Sequence, residues 1–194
     1  MRTTACVCAL LLLACASDPP ARTQYLLRAR LPDETSQSEA PVVIGLGRVT
    51  VAPYLKRPGL VVESKDHQVR PARYHVWAEP LEAGLRRYLR TEISNVLGYA
   101  IRSDAGNRAA WGYAVDVAVD QLHGTLSGQA QLVAGWRISR ADGSEVAAYV
   151  LSTSEPLAVG GYPGLVDAEI ALAQKLAAQI AESLQKAIAG EEKS

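Results

Sequence analysis

The stretch Tyr113-Ala114-Val115-Asp116-Val117-Ala118-Val119-Asp120 decides the fold class of this chain. Alternate residues from Tyr113 to Val119 are aromatic or aliphatic, whereas Asp116 and Asp120 fall on the other side. A period of two with one apolar side predicts a strand that is buried on one face and wet on the other. The same alternation returns at 130–138, and a turn at 141–144 leads into a third run at 145–153. These three runs predict an antiparallel meander.

Two segments on either side of the meander have helical periodicity. Glu79-Pro80 opens the first helix and Gly98 is placed to cap it, because proline suits a first helical turn and glycine a helix C-terminus. The second helix is predicted from about 165 to 189, after the break at 160–164, and Gly190 ends it. Glu82 and Arg86 are expected to pair on the wet side of the first helix. The predicted apolar stripes are Leu81, Leu85, Tyr88, Leu89, Ile93, Val96 and Leu97, then Leu165, Leu172, Leu176, Ile180, Leu184 and Ile188.

Shorter apolar runs precede and follow the first helix, and they predict additional strands at 25–30, 42–51, 60–62, 69–76 and 99–102. Gly45 and Gly47 indicate a bulge or a close backbone approach, and Pro71 favours an edge position. Strands with one buried face and two striped helices imply a sheet with helices packed on it. The prediction is one α/β (α+β) domain over residues 25–190, with a mixed sheet, an antiparallel meander and two long amphipathic helices.

The N-terminus has the pattern of an export signal. Arg2 is followed by the short apolar run 10–14, which is too short to span a bilayer, and then by Cys15. The run Leu12-Leu13-Ala14-Cys15 resembles the lipobox of bacterial lipoproteins, in which the cysteine becomes the acylated, palmitate-bearing first residue. We therefore expect residues 1–14 to be a signal peptide and residues 15–24 to be a lipidated cysteine with its tether. The alternative is a plain signal peptide with an incidental cysteine.

Composition excludes several further classes of site and partner. Cys6 and Cys8 lie in the segment that would be removed, which leaves no disulfide and no thiolate metal site. Basic and acidic residues balance at 20 each, and like charges form no run, so nucleic-acid binding is not supported.

The sequence contains no arrangement typical of an active site. Gly45-Leu46-Gly47 lacks the further glycine of a dinucleotide loop, and no serine stands in a Gly-x-Ser-x-Gly elbow. Asp116 and Asp120 would be about 13 Å apart along a strand, too far for acid/base pairing. We predict a protein that is not an enzyme and needs no metal or cofactor. The three histidines, which lack metal-ligand spacing, are His67, His75 and His123.

Two strings of residues resemble a known family. They are Val49-Thr50-Val51-Ala52-Pro53-Tyr54-Leu55-Lys56-Arg57-Pro58 and Tyr74-His75-Val76-Trp77-Ala78-Glu79-Pro80-Leu81. Together with the lipobox and with Gly160-Gly161-Tyr162 before a terminal helix, they are similar to the ABC-type transport auxiliary lipoproteins of the paraquat-inducible protein C type.

The resemblance implies a noncatalytic lipoprotein at the periplasmic face of the outer membrane, a location that Ala16 after the cysteine also favours. Its partner would be the MCE-domain (mammalian cell entry) protein of an ABC-type transporter that moves phospholipids between membranes and supports envelope integrity. Outer-membrane lipids would hold it through the acyl chains on Cys15, and a homo-oligomer is also compatible with it. The alternative function is a lipoprotein regulator of a periplasmic cell-wall enzyme.

The loop between Pro53 and Pro58 is the predicted partner-binding segment. Tyr54, Leu55 and Arg57 combine aromatic, aliphatic and guanidinium groups, which are the groups favoured at interface hot spots. The same residues could instead pin the loop to the domain. Trp77 is a further candidate for partner binding, although it could simply pack against Leu81.

Overall fold

The computed structural model describes residues 20–30, 39–103 and 110–191 of the chain. The predicted signal peptide 1–14 and Cys15 lie outside the described residues. Within them, a single mixed sheet carries seven strands in the order β1-β4-β3-β5-β6-β7, with β2 also paired to β5. The strands are β1 Thr23–Tyr25, β2 Ile44–Val51, β3 Gly59–Glu63, β4 Val69–Trp77, β5 Tyr113–Thr125, β6 Gln129–Arg140 and β7 Glu145–Pro156.

The strand directions confirm the predicted mixed sheet and its meander. Strands β5, β6 and β7 pair antiparallel in succession. Strands β2 and β3 both run parallel to β5 and share the same edge of it, with Val51 opposite Val119 and Val62 opposite Gly124. The 3-10 turn Pro53–Lys56 lies between these two strands. The turn therefore lies at the point along β5 where pairing with β2 ends and pairing with β3 begins.

Two helices, α1 Leu81–Leu97 and α2 Gly161–Glu191, pack against each other. Helix α1 contacts β2, and α2 contacts β5, β6 and β7, so both lie on one face of the sheet, called here the helix face. The opposite side is the open face. Apolar side chains of the helix face and of the two helices form the core, among them Val115, Val117, Leu132, Ile138 and Leu176. Neither helix in the described part of the chain has an apolar stretch that could cross a bilayer.

Predicted helix ends and stripes are largely confirmed. Gly98 closes α1 in the left-handed conformation, with φ 78°, and its N–H donates to the Ser94 carbonyl. Val96 was expected in the buried stripe but is 49% exposed, because it lies at the border of the apolar face. Helix α2 starts four residues before the predicted position, since Gly161, with φ 82°, makes the turn and Pro163 fits the first helical turn. It also continues past Gly190 to Glu191.

The predicted Glu82–Arg86 pair on the wet side of α1 is wrong. Glu82 Oε1 accepts the backbone N–H of Val51 at 3.1 Å, and Arg86 Nη1 donates to the Gly47 carbonyl at 2.5 Å. Both side chains turn toward backbone groups of β2. The Gly47 carbonyl lies in the bulge between Leu46 and Val49, which leaves backbone groups for side chains to satisfy, and the Val51 N–H lies two residues beyond that bulge.

The N-terminal strands differ in length from their predictions. Strand β1 covers Thr23–Tyr25 rather than 25–30. The predicted strand at 99–102 is reduced to a bridge between Arg102 and Gly45. The predicted close approach at Gly45 is confirmed, since a β-carbon there would fall 2.0 Å from the Trp111 ring.

Candidate docking surface

The Pro53–Lys56 turn is held at its N-terminal end by backbone hydrogen bonds. Ala52 N–H donates to the Val119 carbonyl at 2.9 Å, and Leu55 N–H donates to the Ala52 carbonyl at 2.9 Å. Proline at the first position suits the 3-10 geometry because its φ is fixed near the required value. Leu55 is buried in the core, Tyr54 is half-buried and Arg57 is exposed. The turn and the residue after it therefore have a fixed backbone and two exposed cationic side chains, Lys56 and Arg57.

Tyr54 covers His123 on the open face. In β5, Leu122 and Gly124 point to the helix face, where the Leu165 side chain lies directly against Gly124, so His123 between them points to the open face. His123 is nevertheless only 4% exposed. The Tyr54 hydroxyl lies 3.0 Å from His123 Nδ1 and shields the ring from that side.

The Tyr54–His123 contact continues into a chain of hydrogen bonds. His123 Nε2 lies 3.3 Å from Glu63 Oε2, and the Leu122 N–H donates to the Tyr54 hydroxyl at 3.4 Å. A neutral imidazole with its proton on Nε2 satisfies the whole set, because it donates to the carboxylate and accepts from the phenol. The other oxygen of Glu63 lies 3.4 Å from His67 Nδ1. Polar groups that sequence reasoning treated separately thus meet in one network.

Burial is the main reason that the pKa of Tyr54 is raised above its ordinary value. The Leu122 N–H lowers this pKa, whereas the charges of Glu169, Glu63 and Asp120 raise it. The phenol therefore stays protonated and remains a donor to His123 throughout the physiological pH range. Such a network fixes the position of the turn, because every buried polar atom in it has a partner.

A shallow groove of about 380 Å³ runs beside the turn on the open face. Its walls are apolar or aromatic, with the Arg57 guanidinium as the only formal charge among them. This combination suits contact with another macromolecule, because an aromatic wall and an arginine are frequent anchors of interfaces. The lining residues are Pro53, Tyr54, Arg57, Val61, Val69 and Pro71.

The four predicted contact residues occupy two different environments. Leu55 and Trp77 are 3% and 6% exposed and belong to the core cluster, so they pack beneath the groove and do not line it. The Trp77 N–H also donates to the Pro58 carbonyl at 2.8 Å, which fixes the end of the loop. Tyr54 and Arg57 line the groove itself. Cys15, the predicted lipid anchor, lies outside the described residues.

Sequence reasoning did not connect Glu63 and His123 with the loop. Their separation from each other is 60 residues, and Tyr54 is 69 residues from His123. No local spacing signals such contacts. Among the described residues, no three His, Cys, Asp or Glu side chains gather as a metal site.

A second charged site lies further along the open face. The Arg48 N–H donates to Asp116 Oδ1 at 2.6 Å, and the Arg137 guanidinium lies 3.9 Å from both Asp116 and Glu145. Asp116 therefore satisfies a backbone donor left by the β2 bulge, in agreement with its predicted position on the wet side of β5.

Comparison with known proteins identifies the family. The family model described as the ABC-type transport auxiliary lipoprotein component matches residues 25–181. The chain belongs to this family. The match includes the Pro53–Lys56 turn, the groove, the hydrogen-bond network and most of α2, and it confirms the resemblance inferred from the two strings. Among curated proteins, none matches the sequence significantly.

Solved structures share the fold of this auxiliary lipoprotein. One crystal structure, of an uncharacterized protein, has a TM-score of 0.72 at 22% identity and covers 85% of this chain and 99% of its own. A second, from Xanthomonas campestris and assigned to DUF330, has a TM-score of 0.73 at 12% identity and covers 89% of this chain and 99% of its own. At these identities the likeness establishes the α/β fold of the auxiliary lipoprotein. Its family name associates it with an ABC transport system in the cell envelope.

Proposed function

We propose that this protein is a noncatalytic outer-membrane lipoprotein that docks the periplasmic end of an MCE-type ABC transport system. Phospholipid movement between the membranes and envelope integrity would depend on that contact. Membership of the ABC-type transport auxiliary lipoprotein family carries the proposal. In this proposal, the protein contributes position and a binding surface, and the transporter supplies the energy.

The groove beside Arg57 is the proposed contact surface. Its backbone is fixed by the Tyr54–His123 hydrogen bond of 3.0 Å and by the Trp77–Pro58 hydrogen bond of 2.8 Å. A surface that is ordered before binding loses little conformational entropy on docking. Arg57 is exposed and can form bidentate hydrogen bonds with a carboxylate of the partner. Neither α1 nor α2 covers the open face around it, and within the described residues this leaves room for a large partner.

Cys15 is the proposed anchor. More than one acyl chain is needed for stable attachment, since a single chain gives only marginal binding to a bilayer. The tether of residues 15–24 spans at most about 30 Å. The domain would therefore stay close to the outer membrane, on its periplasmic side, where the transporter must reach it.

Site-specific photo-crosslinking in intact cells tests the docking surface. A photoreactive amino acid at position 57 is expected to capture an MCE-domain protein, identified by mass spectrometry. The matched control carries the same group at Gln174, which is exposed on α2 on the other side of the sheet. Arg57→Ala should also reduce recovery of the complex several-fold, whereas Gln174→Ala should leave it unchanged.

The identity of the captured protein decides between the functions. An MCE-domain protein captured from position 57 and not from position 174 supports the proposal. Capture of a cell-wall synthase from position 57 would instead favour the regulator. Equal capture of the MCE-domain protein from both positions would contradict the assignment of the groove as the contact surface.

A further inference from the structure

One end of the domain, called here the hairpin end, gathers three connections. They are the β3–β4 connection 64–68, the β5–β6 turn 126–128 and the segment 157–160 that leads into α2. The Leu157 N–H donates to the Gly128 carbonyl at 2.9 Å, which brings the last two together. The opposite end of the meander, at the turn 141–144, is about 40 Å away, since β6 has 12 residues and rises about 3.4 Å per residue.

Two large apolar side chains project from the hairpin end. Leu126 is 67% exposed and Val159 is 56% exposed, and only Val150, on the edge strand β7, exceeds them among the exposed large hydrophobic side chains of the described residues. The turn itself does not need a leucine. Gly128 supplies the positive φ of 77°, and Thr125 Oγ1 accepts the Gln129 N–H. Leu126 is therefore exposed at a position where a polar residue would serve the fold equally well.

The hairpin end also carries cations beside these apolar groups. Lys65 and Arg70 are exposed and, with Leu126 and Tyr162, they line a groove of about 510 Å³. The Tyr162 ring stacks on His75 with centroids 4.2 Å apart, and His75 Nδ1 lies 3.0 Å from the Tyr25 hydroxyl. Apolar tips flanked by lysine and arginine are the composition of surfaces that lie at a bilayer interface.

The chain enters the domain from the direction of the hairpin end. Strand β1 runs parallel to β4, with Thr23 opposite His75, and β4 begins at Val69 beside the β3–β4 connection. Thr23 is therefore about 20 Å from the hairpin end, and the chain before it points toward that end. The eight residue steps from Cys15 to Thr23 can extend about 27 Å, which is enough to pass the hairpin end. To reach the opposite end of the meander, the chain before Thr23 would have to reverse its direction immediately, and the tether is too short for such a path.

We propose that the hairpin end rests on the phospholipid bilayer in which Cys15 is anchored, with Leu126 and Val159 inserted at the interface and Lys65 and Arg70 at the level of the phosphates. This inference rests on the proposed acylation of Cys15. It adds an orientation to the anchor: β6 runs from the hairpin end away from the membrane, and the turn 141–144 is the part of the meander most distant from the membrane.

The test uses the full lipidated protein reconstituted into vesicles of phosphatidylethanolamine and phosphatidylglycerol. Single cysteines are introduced as Leu126→Cys and Val159→Cys, with Val150→Cys and Ser144→Cys as controls. A maleimide derivative of the environment-sensitive dye NBD labels only these sites, because acylation blocks Cys15 and the other two cysteines leave with the signal peptide. Val150 is the stricter control, since it is apolar and 76% exposed but lies on β7 opposite Gly135.

Dye at positions 126 and 159 is expected to shift its emission to the blue in vesicles and to be quenched by spin-labelled lipids. Dye at positions 150 and 144 should show neither effect. If the protein floats with the vesicles but positions 126 and 159 respond no more than the controls, the orientation is wrong while the anchor stands. A response at 144 alone would place the opposite end on the membrane and would equally overturn the inference. If the protein does not float with the vesicles, the proposed anchor itself fails.

Discussion

The Tyr54 hydroxyl and His123 Nδ1 are 3.0 Å apart, and their hydrogen bond joins the Pro53–Lys56 turn to β5 across the open face. Tyr54 belongs to one of the two family strings, whereas His123 lies in the meander. The same hydroxyl accepts the Leu122 N–H at 3.4 Å. One phenol thus fixes the candidate docking turn to the centre of the sheet.

Tyr54→Phe should lower the free energy of unfolding by about 1–2 kcal/mol, because it leaves a buried imidazole nitrogen and a backbone N–H without their partner. Urea denaturation measures this loss. Tyr162→Phe is the control, since the ring of Tyr162 keeps its stacking on His75. Equal losses in the two variants would show that the Tyr54 hydroxyl has no special role.

Gly45→Ala should destabilise the domain by about 3 kcal/mol, since a β-carbon at 2.0 Å from the Trp111 ring forces the indole or β2 to move. Gly190→Ala is the matched change in α2, where an added β-carbon meets nothing within 4 Å. It should alter stability by only a few tenths of a kcal/mol. Thermal melting of both variants checks the contrast, and a stable Gly45→Ala variant would contradict it.

Ser183→Ala should cost about 2 kcal/mol, because the buried Trp136 Nε1 donates to Ser183 Oγ at 2.9 Å and would lose its acceptor. Ser139→Ala, on the half-exposed part of β6, should be nearly neutral. The difference between the two free energies of unfolding is the quantity to measure. Similar values would mean that the indole finds another acceptor.

Glu169→Gln should stabilise the domain at neutral and alkaline pH. Burial raises the pKa of Glu169 well above its ordinary 4.5, so the folded state favours the protonated acid. The stability of the native protein should therefore fall as pH rises from 4.5 to the raised pKa, because the folded state holds a proton that the unfolded state releases. Denaturant titrations at several pH values should show this decline in the native protein and a flatter profile in the variant. Glu182→Gln, at an exposed site, should retain the decline.

Cys15→Ser should release the protein from the outer membrane or leave its signal peptide uncleaved, because the thiol that accepts the lipid is gone. Membrane fractionation and the mass of the mature N-terminus check this outcome. Undiminished attachment of the variant would mean that the lipobox is misidentified. Cys6→Ser is the control and should be without effect, since that residue is expected to leave with the signal peptide.

Local periodicity was sufficient to predict the elements whose contacts are close in sequence. Alternation in Tyr113–Val119 identified β5, and the spacing of Leu172, Leu176 and Ile180 identified the buried side of α2. The predictions that failed concern contacts between residues that are distant in sequence. Arg86 binds the Gly47 carbonyl, 39 residues away, and no helical spacing reveals a bulge in another strand.

The sequence likewise predicted only part of the candidate site. The composition of the loop identified Tyr54 and Arg57, which line the groove. It also selected Leu55 and Trp77, whose burial follows from the neighbouring core and could not be derived from the loop alone. The sequence identified His123 as a histidine without metal-ligand spacing, but its contact with Tyr54 could not be predicted, because only the tertiary fold brings the turn over it.

Every strand in the described part of the chain precedes α2, and this order has a consequence for biosynthesis. Trp136 must wait for Ser183, which is made 47 residues later, before its indole finds an acceptor. Until then the meander has an uncovered apolar side that only the last helix can close. The nascent domain therefore cannot complete its core until α2 has been synthesised, and the meander exposes apolar side chains until then.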